Sequence, residues 1–140
     1  MSLFAELTVR PEIARTGAAH VRAVMESGTV PRRTKELCAL MVSWLNACEH
    51  CVSAHSDYAV ELGVPQAQLD ALFDYARSDA FADAERAALS AAVALTREPR
   101  ALPPAVRAAL EAHYDEGQRV EIVSAIGLFN YLNRSSNALT

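Results

Sequence analysis

Seven stretches of this 140-residue chain place apolar residues at i, i+3 and i+4, and proline and glycine fall between them. Side chains three and four apart share one face of a helix, whereas a strand needs alternation. No run alternates with period two beside a hairpin turn. The fold class is therefore expected to be all-α, a compact multi-helix domain. The spacing predicts helices over 11–27, ended by Gly28, over 32–46 after Pro31, over 48–62, ended by Gly63, and over 66–76, opened by Pro65. Three more are expected over 82–97, stopped before Pro99, over 103–113, opened by Pro103 and Pro104, and over 116–138 with Asp115 as N-cap. A chain of this length that is 51% hydrophobic holds one real core and is too short for two ordinary ones, so a single domain over 1–140 is expected. No repeat of 20–50 residues and no low-complexity linker interrupts it.

Charge and cysteine usage narrow the function classes. The net charge is −4 and no long basic run occurs, which argues against a nucleic-acid or anionic-membrane partner, because both need clustered Lys and Arg. No segment approaches 18 consecutive apolar residues, and the start MSLFAELTVRPE lacks the basic and apolar regions of a secretory leader. A cytoplasmic location is the expectation. Three cysteines do not make a disulfide framework, and in a reducing compartment a close pair points to redox or metal chemistry.

The second predicted helix carries an apolar stripe of Leu37, Leu40, Met41, Trp44 and Leu45, with Glu36 at its edge. A carboxylate at the rim of a core needs a partner, since burying it unpaired costs several kcal/mol. The plain alternative is a solvated Glu36 paired with Arg32 or Arg33.

The third predicted helix opens with the run NACEHCVSAHS. Cys48, Cys51, Val52, His55, Ala59 and Leu62 share one face, and Glu49, His50, Ser53, Ser56, Asp57 and Glu61 cover the other. Cys48 and Cys51 lie in the first turn, where free N–H groups and the helix dipole favour a thiolate. A Cys-x-x-Cys pair there closes a disulfide with little movement, and a nearby His takes a thiol proton directly or through water. These are the parts of a dithiol redox centre. A metal site is the competing reading, with Cys48, Cys51, His55 and Glu36 as ligands. Structural zinc sites, however, usually draw ligand pairs from two separate segments, and no second Cys or His pair exists. No metal and no cofactor are therefore expected. Cys38, His20, His113 and His50 have no reactive partner at helical spacing and read as ordinary core or surface residues.

Glu36, eleven residues, Cys48, two residues, Cys51, three residues and His55 form the pattern E-x11-C-x2-C-x3-H. The chain here resembles the alkylhydroperoxidase D-like proteins of the carboxymuconolactone decarboxylase superfamily. The likeness runs over roughly residues 30–135, through RTKELCALMVSWLNACEHCVSAHSDYAVELGV, ERAALSAAVALT and a terminal NYLNR.

That resemblance implies an all-α core assembled as a trimer or hexamer, acting as a thiol-dependent peroxidase on a hydroperoxide and restored by an external dithiol. It assigns Cys51 as the attacking cysteine, Cys48 as the resolving one, His55 as proton acceptor and Glu36 as the residue that orients His55. The dipole argument favours Cys48 as the more acidic thiol, while the four-residue step to His55 favours Cys51, and the assignment follows the histidine. Two alternatives stay open: a lyase of the carboxymuconolactone decarboxylase type, whose members generally lack the cysteine pair, and a non-enzymatic thiol redox sensor.

Overall fold

The computed structural model describes residues 3–98 and 100–140. It is helical, with no strand among the described residues. The order is α1 (Leu3–Leu7), α2 (Pro11–Glu26), α3 (Arg32–Leu45), α4 (Glu49–Glu61), α5 (Gln66–Asp70), a 3-10 turn (Leu72–Asp74), α6 (Asp83–Arg97), α7 (Pro104–His113) and α8 (Glu116–Leu139). Pro11 and Pro104 occupy first-turn positions of their helices, where a missing N–H costs nothing. Asp115 caps α8: its carboxylate accepts from the Gln118 N–H at 2.8 Å, and the Gln118 side chain accepts from the Asp115 N–H at 3.1 Å. Pro99, expected to stop α6, lies outside the described residues.

The structure departs from the sequence reading in four places. α1 was not expected, because five residues are too few to display a period; it is fixed by packing on α2 and α8 with Leu3 buried. The helix expected over 66–76 breaks after Asp70 and resumes as the 3-10 turn, which buries Leu72 and leaves Phe73 outside. Leu62, expected to face inward, is 43% exposed, since it caps α4 where the chain turns at Gly63, and Val64 enters the core instead.

The fourth departure matters most. α3 was expected to present one stripe, yet every residue from Thr34 to Ser43 is buried, because α4, α6 and α8 surround it. Only its ends reach water. Trp44, assigned to the stripe, is 49% exposed and meets the Phe73 ring edge-on at 5.7 Å. No helix among the described residues is long and apolar enough to cross a membrane.

A helix buried on all sides must satisfy any charge it carries. Lys35, 1% exposed, donates to the carbonyls of Val24 (2.9 Å) and Ser27 (2.6 Å) at the end of α2 and pairs with Glu121 at 2.9 Å. The Glu121 carboxylate also accepts from the Thr29 and Val30 N–H groups at 2.9 and 3.0 Å. One clamp thus closes α2 and ties it to α3 and α8. Gly28, at φ +85°, completes it, since a Cβ there would fall on the Glu121 carboxylate. Partial burial pushes the Glu121 carboxyl upward, but the Thr29 N–H, Lys35 and the Val30 N–H outweigh it, and the net shift is downward.

A depressed carboxyl stabilises the fold above its unfolded pKa and loses that contribution as the pH falls through its folded value. Glu121→Gln should therefore lower stability at neutral pH by about 2 kcal/mol, the scale of charge-assisted hydrogen bonds. The gap to the parent protein should narrow below the ordinary carboxylate range. Urea unfolding across pH measures both; a gap that stays constant into acid would contradict the clamp.

Candidate active site

Three elements bring the four predicted residues together. Glu36 comes from the buried first half of α3, Cys48 from the turn that follows, and Cys51 and His55 from α4. Cys48 stands at the N-cap of α4 and Cys51 one turn on, with their Cα atoms 5.3 Å apart and their sulfurs joined in a disulfide. Cys48 is 2% exposed, whereas Cys51 is half-buried and borders a cavity of about 380 Å³. A molecule entering that cavity therefore meets Cys51 first.

A row of charge-assisted bonds borders the same cavity. Glu36 has no solvent exposure, so the solvated alternative for it does not hold. Its Oε2 stands 2.7 Å from His55 Nδ1, and its Oε1 accepts from Nε and Nη2 of Arg32, each at 2.8 Å. Of the two arginines weighed from the sequence, Arg32 is the partner. Arg33 turns away to Gln68 (2.6 Å) and Glu85 (3.2 Å). An ionised carboxylate only accepts, so, facing one, His55 donates from Nδ1, and Nε2 is the ring nitrogen turned away from Glu36. The imidazole meets the Phe129 ring at 4.5 Å and 85°, which fixes its plane. His55 borders the same cavity as Cys51. Apolar side chains form much of the remaining wall, notably Leu3 and Phe4 of α1, Met25 of α2, and Phe129 and Leu132 of α8.

The residues set aside from the sequence mostly stay aside. Burial pushes the Cys38 thiol up to about 12, with Glu85 nearby adding to the rise, so it remains a buried, unreactive thiol. His20 and His113 are exposed. His50 is exposed, as its face of the helix predicts, but it also borders the cavity beside Cys51. Among the described residues, no three His, Cys, Asp or Glu side chains are placed to hold a metal ion. From the sequence Arg32 reads only as a partner for a solvated glutamate, although its position four residues before Glu36 places both on one helix face.

Comparison with known proteins finds relatives of the chain as a whole. Residues 11–94 match the carboxymuconolactone decarboxylase family. The chain is 30% identical to the uncharacterized protein YdfG of Bacillus subtilis over 115 residues, which is 81% of this chain and 78% of that one. A protein of unknown function from Agrobacterium tumefaciens, described for antioxidant defence as AhpD, superposes with a TM-score of 0.87 at 26% identity, covering 95% of this chain and 91% of its own. A variant of the debrominase Bmp8 with 2,3,4-tribromopyrrole is also similar, with a TM-score of 0.86 at 26% identity over 95% of this chain and 71% of that one.

Proposed function

Because the chain belongs to the carboxymuconolactone decarboxylase family, in its alkylhydroperoxidase D-like branch, we propose that the disulfide pair is the working centre of a thiol-dependent peroxidase. The observation that carries this reading is that Cys51 and His55 border one cavity, with Glu36 and Arg32, also on its lining, bonded in turn to the imidazole. In the reduced enzyme His55 Nε2 takes the Cys51 proton, directly or through one water, and the thiolate attacks the O–O bond of a hydroperoxide. The distal oxygen stays on sulfur as a sulfenic acid, and the alkoxide or hydroxide leaves with a proton as alcohol or water. The Cys48 thiolate then attacks the Cys51 sulfur, the disulfide forms and water departs. An external dithiol supplies the two electrons that reopen it.

Likeness to a debrominase supports a second reading over the same parts. A soft thiolate attacks the bromine of an electron-rich bromoarene, the ring carbon takes a proton, and Cys48 displaces bromide to form the same disulfide. The apolar cavity wall suits such a ring. The lyase reading leaves the disulfide without a task, and a redox sensor leaves the cavity without one.

Assembly belongs to the proposal as well. Trp44, Val60 and Phe73 are exposed apolar side chains, and Trp44 touches Phe73, which supports burial of that surface in a homo-oligomer, a trimer or hexamer. Light scattering at micromolar protein should read one of these; a monodisperse monomer contradicts it.

The cysteine roles are tested by single turnover. Cys51→Ser should abolish hydroperoxide consumption, whereas Cys48→Ser should consume one equivalent and stall with a sulfenic acid on Cys51. A sulfenic acid on Cys48 in Cys51→Ser, formed at the parent rate, would exchange the roles. A parent protein that reduces no hydroperoxide with any dithiol would remove the peroxidase reading.

A further inference from the structure

The turn that delivers Cys48 adopts a conformation that its sequence resists. At the end of α3 the Ala47 N–H donates to the Trp44 carbonyl and the Cys48 N–H to the Ser43 carbonyl, each at 3.0 Å. This pair of bonds closes a helix only when the residue between is left-handed. That residue is Ala47, at φ 52°. α4 ends in the same way, with Gly63 on Val60 at 2.9 Å and Val64 on Ala59 at 3.0 Å, but there the left-handed residue is Gly63, at φ 79°. Glycine takes this backbone freely, whereas a Cβ opposes it.

A row of asparagines on α8 meets the strained turn. Asn130, Asn133 and Asn137 follow the helical spacing i, i+3, i+7 and so face one side. Asn46 Nδ2 donates to Asn130 Oδ1 at 3.0 Å and to Asn133 Oδ1 at 3.3 Å, and Asn137 Nδ2 donates to the Asn46 carbonyl at 2.8 Å. Asn133, which has no solvent exposure, also donates to Ser43 Oγ at 3.2 Å, on the residue whose carbonyl receives the Cys48 N–H. Asn130 is itself held by Thr96 Oγ1 at 2.9 Å and the Ile126 carbonyl at 3.0 Å. Backbone and side chain of the turn are thus both tied to one rigid helix. Strained backbone of this kind persists where its surroundings over-determine it.

We propose that Asn46, Asn130, Asn133 and Asn137 are positioning residues that hold the left-handed turn and keep Cys48 against Cys51, and so set the stability of the disulfide and the speed with which it forms. The proposal rests on Cys48 and Cys51 being the redox pair. In the resolving step the Cys48 thiolate forms the S–S bond as the S–O bond of the Cys51 sulfenic acid breaks, and hydroxide leaves with a proton as water. The proton is the one the Cys48 thiol released, so no oxidant or reductant outside the pair is consumed. Freeing the turn lowers the effective concentration of Cys48 at that sulfur, which weakens the disulfide and slows this step.

The full-length protein, equilibrated in glutathione buffers without peroxide and quenched by thiol labelling, gives the potential of the pair. Asn46→Ala should weaken the disulfide about tenfold, which for a two-electron couple raises the potential by about 30 mV. It should also lengthen the lifetime of the Cys51 sulfenic acid. Adding Ala47→Gly should return the potential toward the parent value, because glycine holds the turn unaided. If Asn46→Ala does not fold, Asn137→Ala, which removes one bond at an exposed residue, should shift the potential in the same direction. An unchanged potential in the folded variants, with only the melting temperature lowered, would make the row merely structural and overturn the proposal. Failure of Ala47→Gly to restore the potential would do the same. A parent protein without peroxidase turnover rejects the proposed function alone, since the potential is read without peroxide.

Discussion

Glu36 places a carboxylate on a helix buried along most of its length, with no exposure to solvent. Such a charge is tolerated only where donors meet both oxygens, and removing one partner of a buried pair typically costs about 3–5 kcal/mol. Arg32 occupies Oε1 and His55 occupies Oε2. The same bonds that make the buried carboxylate acceptable fix the tautomer and direction of the imidazole. Core stability and site geometry are therefore one constraint: the α3–α4 packing that hides Glu36 is what brings His55 to the cavity bordered by Cys51.

The rest of the domain frames that contact. The Lys35–Glu121 clamp holds α3 against α2 and α8 with a second buried charge, and α2 and α8 in turn carry Met25, Phe129 and Leu132 to the cavity wall. Phe129 reaches further, setting its ring against His55. α1 closes another side with Leu3 and Phe4. The disulfide stands where the start of α4 meets this wall, with Cys48 buried and Cys51 bordering the cavity.

The helices were legible because proline and glycine mark their ends and because capping chemistry is local, as at Asp115. What failed depended on neighbours. A sequence read one helix at a time predicts a stripe for α3, whereas three surrounding helices bury it all round and leave Trp44 outside. The break after Asp70 and the inward swing of Val64 in place of Leu62 likewise follow from where the core lies. Within the site, the nearness of Cys48, Cys51 and His55 was legible from helical spacing, whereas Glu36, on a separate helix, was joined to them only by the family resemblance. The Arg32 bond was legible as a pairing but not as a buried one. The asparagines of α8 carried a readable spacing, yet nothing local tied them to a turn more than 80 residues earlier.

Glu36 is proposed to act on the chemistry only through His55. A double-mutant cycle on the rate of Cys51 oxidation by hydroperoxide tests it most directly. His55→Ala should slow the step by about 10²- to 10⁴-fold, the usual cost of losing a general base. Glu36→Gln should slow it less, and the double variant should be no slower than His55→Ala alone. Additive losses, with the double variant slower by the product of the two single effects, would show that Glu36 and His55 act independently.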